Sequence, residues 1–298
     1  MAATIIDGKA IAAQIRSEVR AEAGRLKSER GLTPGLAFIL VGEDPASQVY
    51  VRSKGKACAE MGFHSVTHRL RAGVTQAELL DLIQRCNGDE SIHGVLVQLP
   101  LPAHIDEQTV IEAIDYRKDV DGFHPVNVGR LVVGLKALRP CTPAGIQELL
   151  VRSGHDPSGK HVVVLGRSNI VGKPVLNILL QKQKGANAVV TVVHTGARDI
   201  ASYTREGDIV IAALGKPEIL RGEMLKPGCV VVDVGINRVE DGTRQTGYRI
   251  VGDVHFASAS GVASAITPVP GGVGPMTIAM LMKNTLRAAE GSITSQLL

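Results

Sequence analysis

The sequence is poor in aromatic residues and nearly balanced in charge. Its 298 residues include 4 Tyr, 4 Phe and no Trp, which argues against a surface that stacks the bases of single-stranded nucleic acid. Lys and Arg total 33 against 29 Asp and Glu, a net charge of +4. So small an excess over a long chain argues against a dense basic face. We therefore expect no nucleic-acid partner.

Cysteines are few and widely separated, and the amino terminus lacks the pattern of a secretory signal. Cys58, Cys86, Cys141 and Cys229 form no CxxC motif and no paired metal-ligand spacing, so neither a disulfide scaffold nor a metal site is predicted. Isolated thiols are typical of a reducing compartment. The opening MAATIIDGKA has no basic region followed by an apolar segment, and a cytoplasmic location is expected.

The stretch from Val254 to Met282 contains no Asp, Glu, Lys or Arg. Its three prolines, its histidine and its several serines and glycines make it too polar and too interrupted to span a bilayer. Within it, TPVPGGVGPMT combines stiff prolines with Gly271, Gly272 and Gly274, which let a flat ligand approach the backbone closely. The pattern predicts no membrane insertion and favours a ligand-facing loop over a plain connector.

Hydrophobic patterning predicts an α/β protein of about two domains, at roughly 150 residues per domain. In the first half, apolar strands alternate with helices that begin at Asp44–Pro45 and at a Thr75–Glu78 capping box. In the second half, strands that are apolar throughout indicate a doubly wound parallel sheet covered on both faces. The predicted strands are Leu36–Val41, His64–Leu70, Gly94–Gln98, His161–Leu165, Val189–Val193, Ile209–Ala213 and Val230–Val234.

A glycine turn after one strand of the second half predicts a phosphate-binding loop. In VVVLGRSNIVGKP, Gly166 follows the strand and Gly172 opens a helix, whose free N–H groups and dipole favour a phosphate. The spacing is not GxGxxG, so an ordinary strand-to-helix turn is the alternative.

The charges near the next strand favour NADP over NAD. That strand ends near Thr195 without the acid that usually binds the ribose hydroxyls of NAD. Arg167 lies in the glycine turn and Arg198 lies just beyond the strand tip, as a 2′-phosphate requires. Asp199 lies close to the same tip and weighs against this interpretation.

Four polar side chains of the first half are candidates for a reactive site. Tyr50 and Lys54 are one helical turn apart in SQVYVRSKGK and share a face, which suits a flat ligand and a proton transfer; a solvated lysine beside a half-buried tyrosine is the alternative. Gln98 ends a buried strand, where ligands collect in α/β sheets, although an amide that satisfies loop backbone would look the same. Asp121 lies in KDVDGFHP, where an ordinary Asp–Gly turn is the alternative.

Eight motifs occur in order along the chain: SQVYVRSKGKA, GVLVQLPLP, KDVDGFHP, GRSNIVGKP, GKPE, DVGINR, VGDV and TPVPGGVGPMT. Together they resemble the bifunctional methylenetetrahydrofolate dehydrogenase/methenyltetrahydrofolate cyclohydrolase family over nearly the whole chain. The resemblance implies two α/β domains with a cleft between them, a folate-binding catalytic domain of residues 1–140 plus 271–298 and a Rossmann-like NADP-binding domain of residues 141–270. It also implies NADP as cofactor, a folate substrate in the cleft and a homodimer.

The same resemblance implies a role for each site residue. Tyr50 would pack on the pterin ring, Lys54 would be the catalytic lysine with Gln98 as its partner, and Asp121 would anchor the pterin. Pro270 and Gly271 are further expected substrate contacts. The expected cofactor contacts are Gly166, Arg167, Ser168, Thr195, Gly215 and Ile236. The chain departs from the family at the strand tip, where Val193, His194 and Thr195 stand in place of a frequent Cys-His-Ser run.

The implied activity is oxidation of methylenetetrahydrofolate by hydride transfer to NADP, followed by hydrolysis of the methenyl product to formyltetrahydrofolate. In the second step Lys54 would act as a base, directly or through water. A monofunctional dehydrogenase and a non-catalytic NADP-binding sensor are alternatives. The presence of Lys54, Tyr50 and Gln98 argues against the first, and the presence of Lys54 and Asp121 argues against the second.

Overall fold

The computed structural model describes residues 2–244 and 246–291. The strands, numbered along the chain, are β1 Thr4–Ile5, β2 Gly35–Val41, β3 His64–Leu70, β4 Gly94–Val97, β5 His161–Leu165, β6 Val189–Val193, β7 Ile209–Ala212, β8 Val230–Asp233, β9 Asn237–Glu240, β10 Tyr248–Val251 and β11 Ala265–Ile266. The helices are α1 Gly8–Arg30, α2 Pro45–Met61, α3 Gln76–Gly88, α4 Glu107–Ala113, α5 Pro125–Val132, α6 Cys141–Arg152, α7 Gly172–Leu179, α8 Ala201–Thr204, α9 Phe256–Ala259 and α10 Val273–Ala289, with a short 3₁₀ turn at Gly222–Met224.

The chain divides into two compact units. The three-stranded unit contains residues 13–141 and 278–291, and the six-stranded unit contains residues 2–12 and 142–277. These bounds differ from the expected division in two places. Residues 2–12 belong to the six-stranded unit because β1 pairs in parallel with β11. The final change of unit falls inside α10, between Thr277 and Ile278, instead of at residue 270. Expected residues 292–298 lie outside the described ranges.

The three-stranded unit is built on a parallel sheet with strand order β3-β2-β4. β2 and β4 are buried along their whole length, as expected for strands that are apolar at every position. Both predicted caps are present: the Asp44 side chain accepts from the Ser47 N–H, and Thr75 and Glu78 form a capping box. These elements bring α2, which carries Tyr50 and Lys54, and the end of β4, which is followed by Gln98, into one unit.

The six-stranded unit is built on a parallel sheet with strand order β1-β11-β8-β7-β5-β6. From β5 the chain goes to β6 on one side and then crosses back to β7 on the other. This reversal confirms the predicted doubly wound sheet and puts a topological switch point between β5 and β7. Gly166 and Ala213 therefore follow neighbouring strands at the edge where such folds bind ligands.

Several elements did not stand out in the sequence, among them the strands β9 and β10 and the helix α5. β9 and β10 form an antiparallel hairpin whose strands, NRVE and YRIV, carry charged residues and are only partly buried. Helix α5 begins directly after a segment predicted as loop, with His124 as its cap and Pro125 in its first turn. Among the described residues, no helix combines the length and the apolar character that crossing a bilayer requires.

Candidate active site

In the three-stranded unit, Lys54 and Gln98 form a hydrogen-bonded pair. The Lys54 Nζ donates to Gln98 Oε1 at 3.0 Å. The Gln98 amide is oriented from its other side, because its Nε2 donates to the Leu99 carbonyl at 2.6 Å. Its backbone N–H extends the ladder of the sheet to the Ile39 carbonyl. The amide oxygen is thus presented to the lysine by the end of a buried strand, and two N–H bonds of a charged Lys54 are left for other acceptors.

Tyr50 precedes Lys54 by one turn of α2. Its side chain is 49% exposed, whereas Lys54 is only partly exposed. An exposed tyrosine one turn from a half-buried lysine differs from the alternative of a solvated lysine beside a half-buried tyrosine, and the roles of the two side chains stay a prediction. The geometry allows a planar ligand to lie on the ring while the amine reaches an atom near its edge.

Asp121 adds a carboxyl group with unusual protonation to the same unit. Its pKa is raised to about 6, chiefly by burial; the positive charge of Lys54 lowers it and the nearby charge of Asp119 raises it, and both effects are included in that value. The structure therefore brings Lys54, Gln98 and Asp121 into one electrostatically coupled group. A carboxyl group that changes charge close to neutral pH suits a ligand-binding or proton-transfer site.

Asp119 stabilises the loop that carries Asp121 by accepting three hydrogen bonds. This buried carboxylate accepts from the Gly122 N–H at 3.1 Å, the His124 N–H at 2.8 Å and the Asn127 Nδ2 at 2.9 Å. Burial raises the pKa of Asp119, and these donors counteract that effect. Such a network fixes the turn and hence the direction in which Asp121 lies. The Asp-x-Asp-Gly spacing indicated a turn, but the part played by Asn127 left no signal in the sequence.

Asn284 on α10 supports the segment on the other side of Asp121. Its Nδ2 donates to the Val120 carbonyl at 2.9 Å and to the Arg139 carbonyl at 2.8 Å. Asn284 is fully buried, so its amide supplies a hydrogen bond to each of these backbone acceptors from inside the protein. Sequence reasoning missed this residue because it is an isolated amide in an apolar helix.

In the six-stranded unit, the turn after β5 has the shape expected of a phosphate-binding loop. Gly166 has φ +122°, and a Cβ on it would lie 2.2 Å from the Ala213 carbonyl oxygen. A Cβ on Gly172 would lie 2.2 Å from the Gly166 carbonyl oxygen. Ser168 Oγ closes the turn by accepting from the Val171 N–H at 3.1 Å and the Gly172 N–H at 3.3 Å. The backbone is thus packed so tightly that only glycine fits, and α7 starts directly behind it.

The charges around this turn agree with the predicted 2′-phosphate site. Arg167 and Arg198 are exposed, and Arg167 makes no ion pair within the described ranges. Thr195 is exposed at the end of β6. The nearby acid Asp199 is exposed and accepts a hydrogen bond from the Ala201 N–H at 2.9 Å through Oδ1. Its second oxygen is not used in that bond, so Asp199 continues to weigh against NADP at this tip.

Ile236, Pro270 and Gly271 line one pocket of the six-stranded unit, with a volume of about 200 Å³. Pro270 and Gly271 were expected to contact the substrate and Ile236 the cofactor, and in the structure all three line the same pocket. Ile236 is 57% exposed, as a side chain that packs against a ligand ring would be in the free protein. Gly215 follows β7, and its N–H is bound by Asp253, a residue to which sequence reasoning gave no role of its own.

These features define the chain as an α/β protein of the dinucleotide-binding class. Its other unit carries a cluster of polar side chains formed by Lys54 on α2, Gln98 and Asp121. Sequence comparison gives the particular family. The model described as tetrahydrofolate dehydrogenase/cyclohydrolase, catalytic domain, matches residues 6–121, and that of its NAD(P)-binding domain matches residues 140–293. The chain belongs to the tetrahydrofolate dehydrogenase/cyclohydrolase family, which confirms the resemblance seen in the motifs.

Similar proteins match along almost their entire length. Bifunctional protein FolD of Moorella thermoacetica is 60% identical over 290 residues, which cover 97% of this chain and 100% of the relative. The crystal structure of the bifunctional enzyme FolD from Campylobacter jejuni has a TM-score of 0.91 and 50% identity, covering 98% of this chain and 100% of the other. FolD from Trypanosoma brucei, solved with NADP cofactor and an inhibitor, has a TM-score of 0.91 and 44% identity, with 98% and 99% covered.

Proposed function

We propose that this protein oxidises methylenetetrahydrofolate with NADP and hydrolyses the methenyl product to formyltetrahydrofolate. The observation that carries the proposal is the hydrogen bond from Lys54 Nζ to Gln98 Oε1 in a unit that also contains the coupled carboxyl of Asp121. Membership of the family supports both activities, since its name joins a dehydrogenase to a cyclohydrolase. The three-stranded unit is proposed to bind the folate and the six-stranded unit to bind NADP.

The residues of the six-stranded unit fit a dinucleotide. The turn has no room for a Cβ at Gly166 or Gly172, and α7 starts directly behind it, where the helix dipole favours a phosphate. Arg167 would pair with a 2′-phosphate, and Thr195, Gly215 and Ile236 follow β6, β7 and β8 of the same sheet. When bound, NADP supplies the acceptor for a hydride from the bridging methylene carbon of the folate.

In the oxidation, the main task of the protein is to orient the folate relative to NADP. Lone pairs on the folate nitrogens stabilise the cation that remains after hydride loss, so no strong protein base is needed in this step. Tyr50 is proposed to stack on the pterin ring and Asp121 to accept hydrogen bonds from its N–H groups. At pH 7 most Asp121 side chains are ionised, given a pKa of about 6, and this is the form that accepts from two donors.

The hydrolysis requires a base. Water attacks the methenyl carbon, and a neutral Lys54 amine takes the proton from that water, directly or through a second water molecule. Gln98 holds the amine in place through its Oε1, and Gln98 is itself held by the Leu99 carbonyl. The C–N bond of the resulting adduct then breaks: the proton on Lys54 passes to the leaving folate nitrogen, and the remaining O–H proton of the adduct passes to solvent as the formyl C=O forms.

The test is an assay of purified protein with methylenetetrahydrofolate and either NADP or NAD. Absorbance of the reduced nicotinamide reports the oxidation, and loss of the methenyl chromophore reports the hydrolysis. We expect both signals, with NADP preferred. Reduction without hydrolysis would identify a monofunctional dehydrogenase, and binding of NADP without reduction would identify a sensor; either result contradicts the proposal.

We further propose that the protein is a homodimer in the cytoplasm and has no nucleic-acid partner. Support for the dimer comes from the family resemblance, and support for the absence of nucleic acid comes from the small net charge of +4. Light scattering on the eluting protein would give the mass of the assembly. A mass of one chain, near 31.5 kDa, would contradict the dimer.

A further inference from the structure

Two buried aspartates of the six-stranded unit join the loops that carry the proposed cofactor contacts. Asp233 ends β8 and is 4% exposed, and Asp253 follows β10 and is 0% exposed. The hydrogen bonds that their carboxylates accept within the described ranges come from backbone N–H groups and one side-chain amide, and no cation pairs with either. Burying two carboxylates without a cation costs stability, which points to a role that an apolar pair could not perform.

Asp253 binds two loops at once. Its Oδ2 accepts from the Leu214 N–H at 2.6 Å and from the Gly215 N–H at 2.8 Å. Its Oδ1 accepts from the Asn237 Nδ2 at 2.9 Å. The first two donors lie in the loop after β7, and the third directly follows Ile236. One carboxylate therefore sets the spacing between Gly215 and Ile236, which are both expected cofactor contacts.

Asp233 holds Asp253 in this position. Its Oδ1 accepts from the Asp253 N–H and the Gly235 N–H, both at 2.9 Å, and its Oδ2 accepts from the Val254 N–H at 3.0 Å. Its own N–H donates to Thr267 Oγ1 at 2.8 Å, where the TPVPGG loop begins. The carboxylate of Asp233 thus fixes the backbone on both sides of the Asp253 side chain.

The approach of these segments explains why the VGDV motif begins with Val-Gly. A Cβ on Gly252 would lie 1.8 Å from Asp233 Oδ2, a distance at which no side chain fits. The adjoining backbone is tied to the GKPE segment as well, since the Gly252 carbonyl accepts from the Glu218 N–H and the Asp253 carbonyl from the Leu220 N–H. Three separate family motifs therefore meet at the two carboxylates.

We propose that Asp253, held by Asp233, is a positioning residue for the dehydrogenase reaction, because it fixes the backbone at Gly215 relative to Ile236 where the nicotinamide half of NADP binds. This inference rests on the proposed function. Asp253 acts through its neighbours and does not itself contact the reacting atoms. A residue with this role changes the affinity for NADP, whereas a residue that only stabilises the fold changes the amount of active protein.

A charge exchange between Asp253 and Asn237 gives a specific test. In Asp253→Ala the acceptor is lost, and in Asn237→Asp two carboxylates are brought into contact. The double variant Asp253→Asn/Asn237→Asp restores a matched pair: Asn at 253 still accepts from the Leu214 and Gly215 N–H groups, and its Nδ2 donates to the new carboxylate. We expect each single variant to weaken NADP binding about tenfold or more, as loss of bonds to a charged group implies, and the double variant to return within about threefold of the original protein.

The readouts are the calorimetric Kd for NADP and the separate KM values for NADP and for the folate. We expect Kd and KM for NADP to rise in both single variants while KM for the folate stays within twofold. Single variants that lose kcat or thermal stability with an unchanged Kd for NADP would overturn the inference and assign the carboxylates to the fold alone. A double variant no better than the singles would overturn it as well. If the original protein binds NADP but does not reduce it, the proposed function fails, and the Kd values still decide whether Asp253 positions the NADP site.

Discussion

The turn at Gly166 gives the sharpest structural prediction. Replacing Gly166 by Ala adds one methyl group at a residue with φ +122°, and that group would lie 2.2 Å from the Ala213 carbonyl oxygen. Ala213 follows β7, the neighbour of β5 across the switch point. The methyl group can be accommodated only if the two strand ends move apart, so the change acts on the proposed phosphate cradle and on the sheet together.

The magnitude follows from two contributions. Backbone strain at such a φ costs about 1–3 kcal/mol for a residue with a Cβ, and the overlap with Ala213 adds to it. Ala has less conformational freedom than Gly in the unfolded chain, which stabilises the folded state by about 0.4–1 kcal/mol and offsets part of this loss. We expect the free energy of unfolding to fall by about 2–4 kcal/mol. The matched control is Gly159→Ala, where φ is +72° but nothing lies within 4 Å of the new Cβ; the expected loss there is about 1 kcal/mol.

The assay is urea unfolding of the full chain together with the calorimetric Kd for NADP. We expect Gly166→Ala to be less stable than Gly159→Ala and to bind NADP at least about tenfold more weakly, because a displacement near 1 Å in a binding site is costly. Gly159→Ala should bind NADP like the original protein. Equal stability of the two variants, with NADP binding within twofold of the original, would refute the reasoning.

Three further predictions concern individual side chains. The pKa of Asp121 is raised to about 6, against 3.8 when unperturbed, so the folded carboxyl binds its proton more tightly and its contribution to stability is lost as the pH rises from about 4 to 6. Because the ionised form binds the folate, KM for the folate should rise as the pH falls below 6. A pH-independent KM, or one that Asp121→Asn leaves pH-dependent, would contradict this. Arg167→Ala should lower the NADP-to-NAD ratio of kcat/KM by about tenfold, as loss of a charge-assisted bond implies, and an unchanged ratio would show that the 2′-phosphate argument is wrong. Asn284→Ala should lower the free energy of unfolding by about 1–3 kcal/mol, because it removes the buried amide donor that the Val120 and Arg139 carbonyls share; a change below about 0.5 kcal/mol would show that water replaces the amide.

The parts of the fold that the sequence predicted depend on local chemistry. The predicted strands His161–Leu165 and Val189–Val193 agree with the observed ones at both ends, because apolar runs with clear turn residues on each side leave little choice of boundary. His64–Leu70 agrees as well, although it is a largely polar strand with no buried residue. The Asp44 cap and the Thr75 capping box depend on residues three positions apart, which a sequence shows directly. The pair of Lys54 and Gln98 was also expected, although its expectation came from the family resemblance and not from spacing.

The parts that could not be predicted depend on contacts between distant segments. β1 has only two residues and belongs to the six-stranded unit through its pairing with β11, and no local pattern encodes a partner so far away in the chain. Along the sequence, Asp233 and Asp253 are isolated acids among apolar residues, and only the fold brings their motifs together. Asn284 poses the same difficulty, since a single amide in a helix gives no indication of the carbonyls that it will bind.

The most direct test of the central claim, that Lys54 is the base of the hydrolytic step, is the rate at which a Lys54→Met variant hydrolyses methenyltetrahydrofolate above the spontaneous rate. The matched control is Lys56→Met, on the same helix but at an exposed position. Loss of a general base lowers the rate by about 10²–10⁴-fold, and we expect such a loss in Lys54→Met with retained binding of folate and NADP, while Lys56→Met keeps the original rate. Hydrolysis by Lys54→Met at close to the original rate would contradict the account.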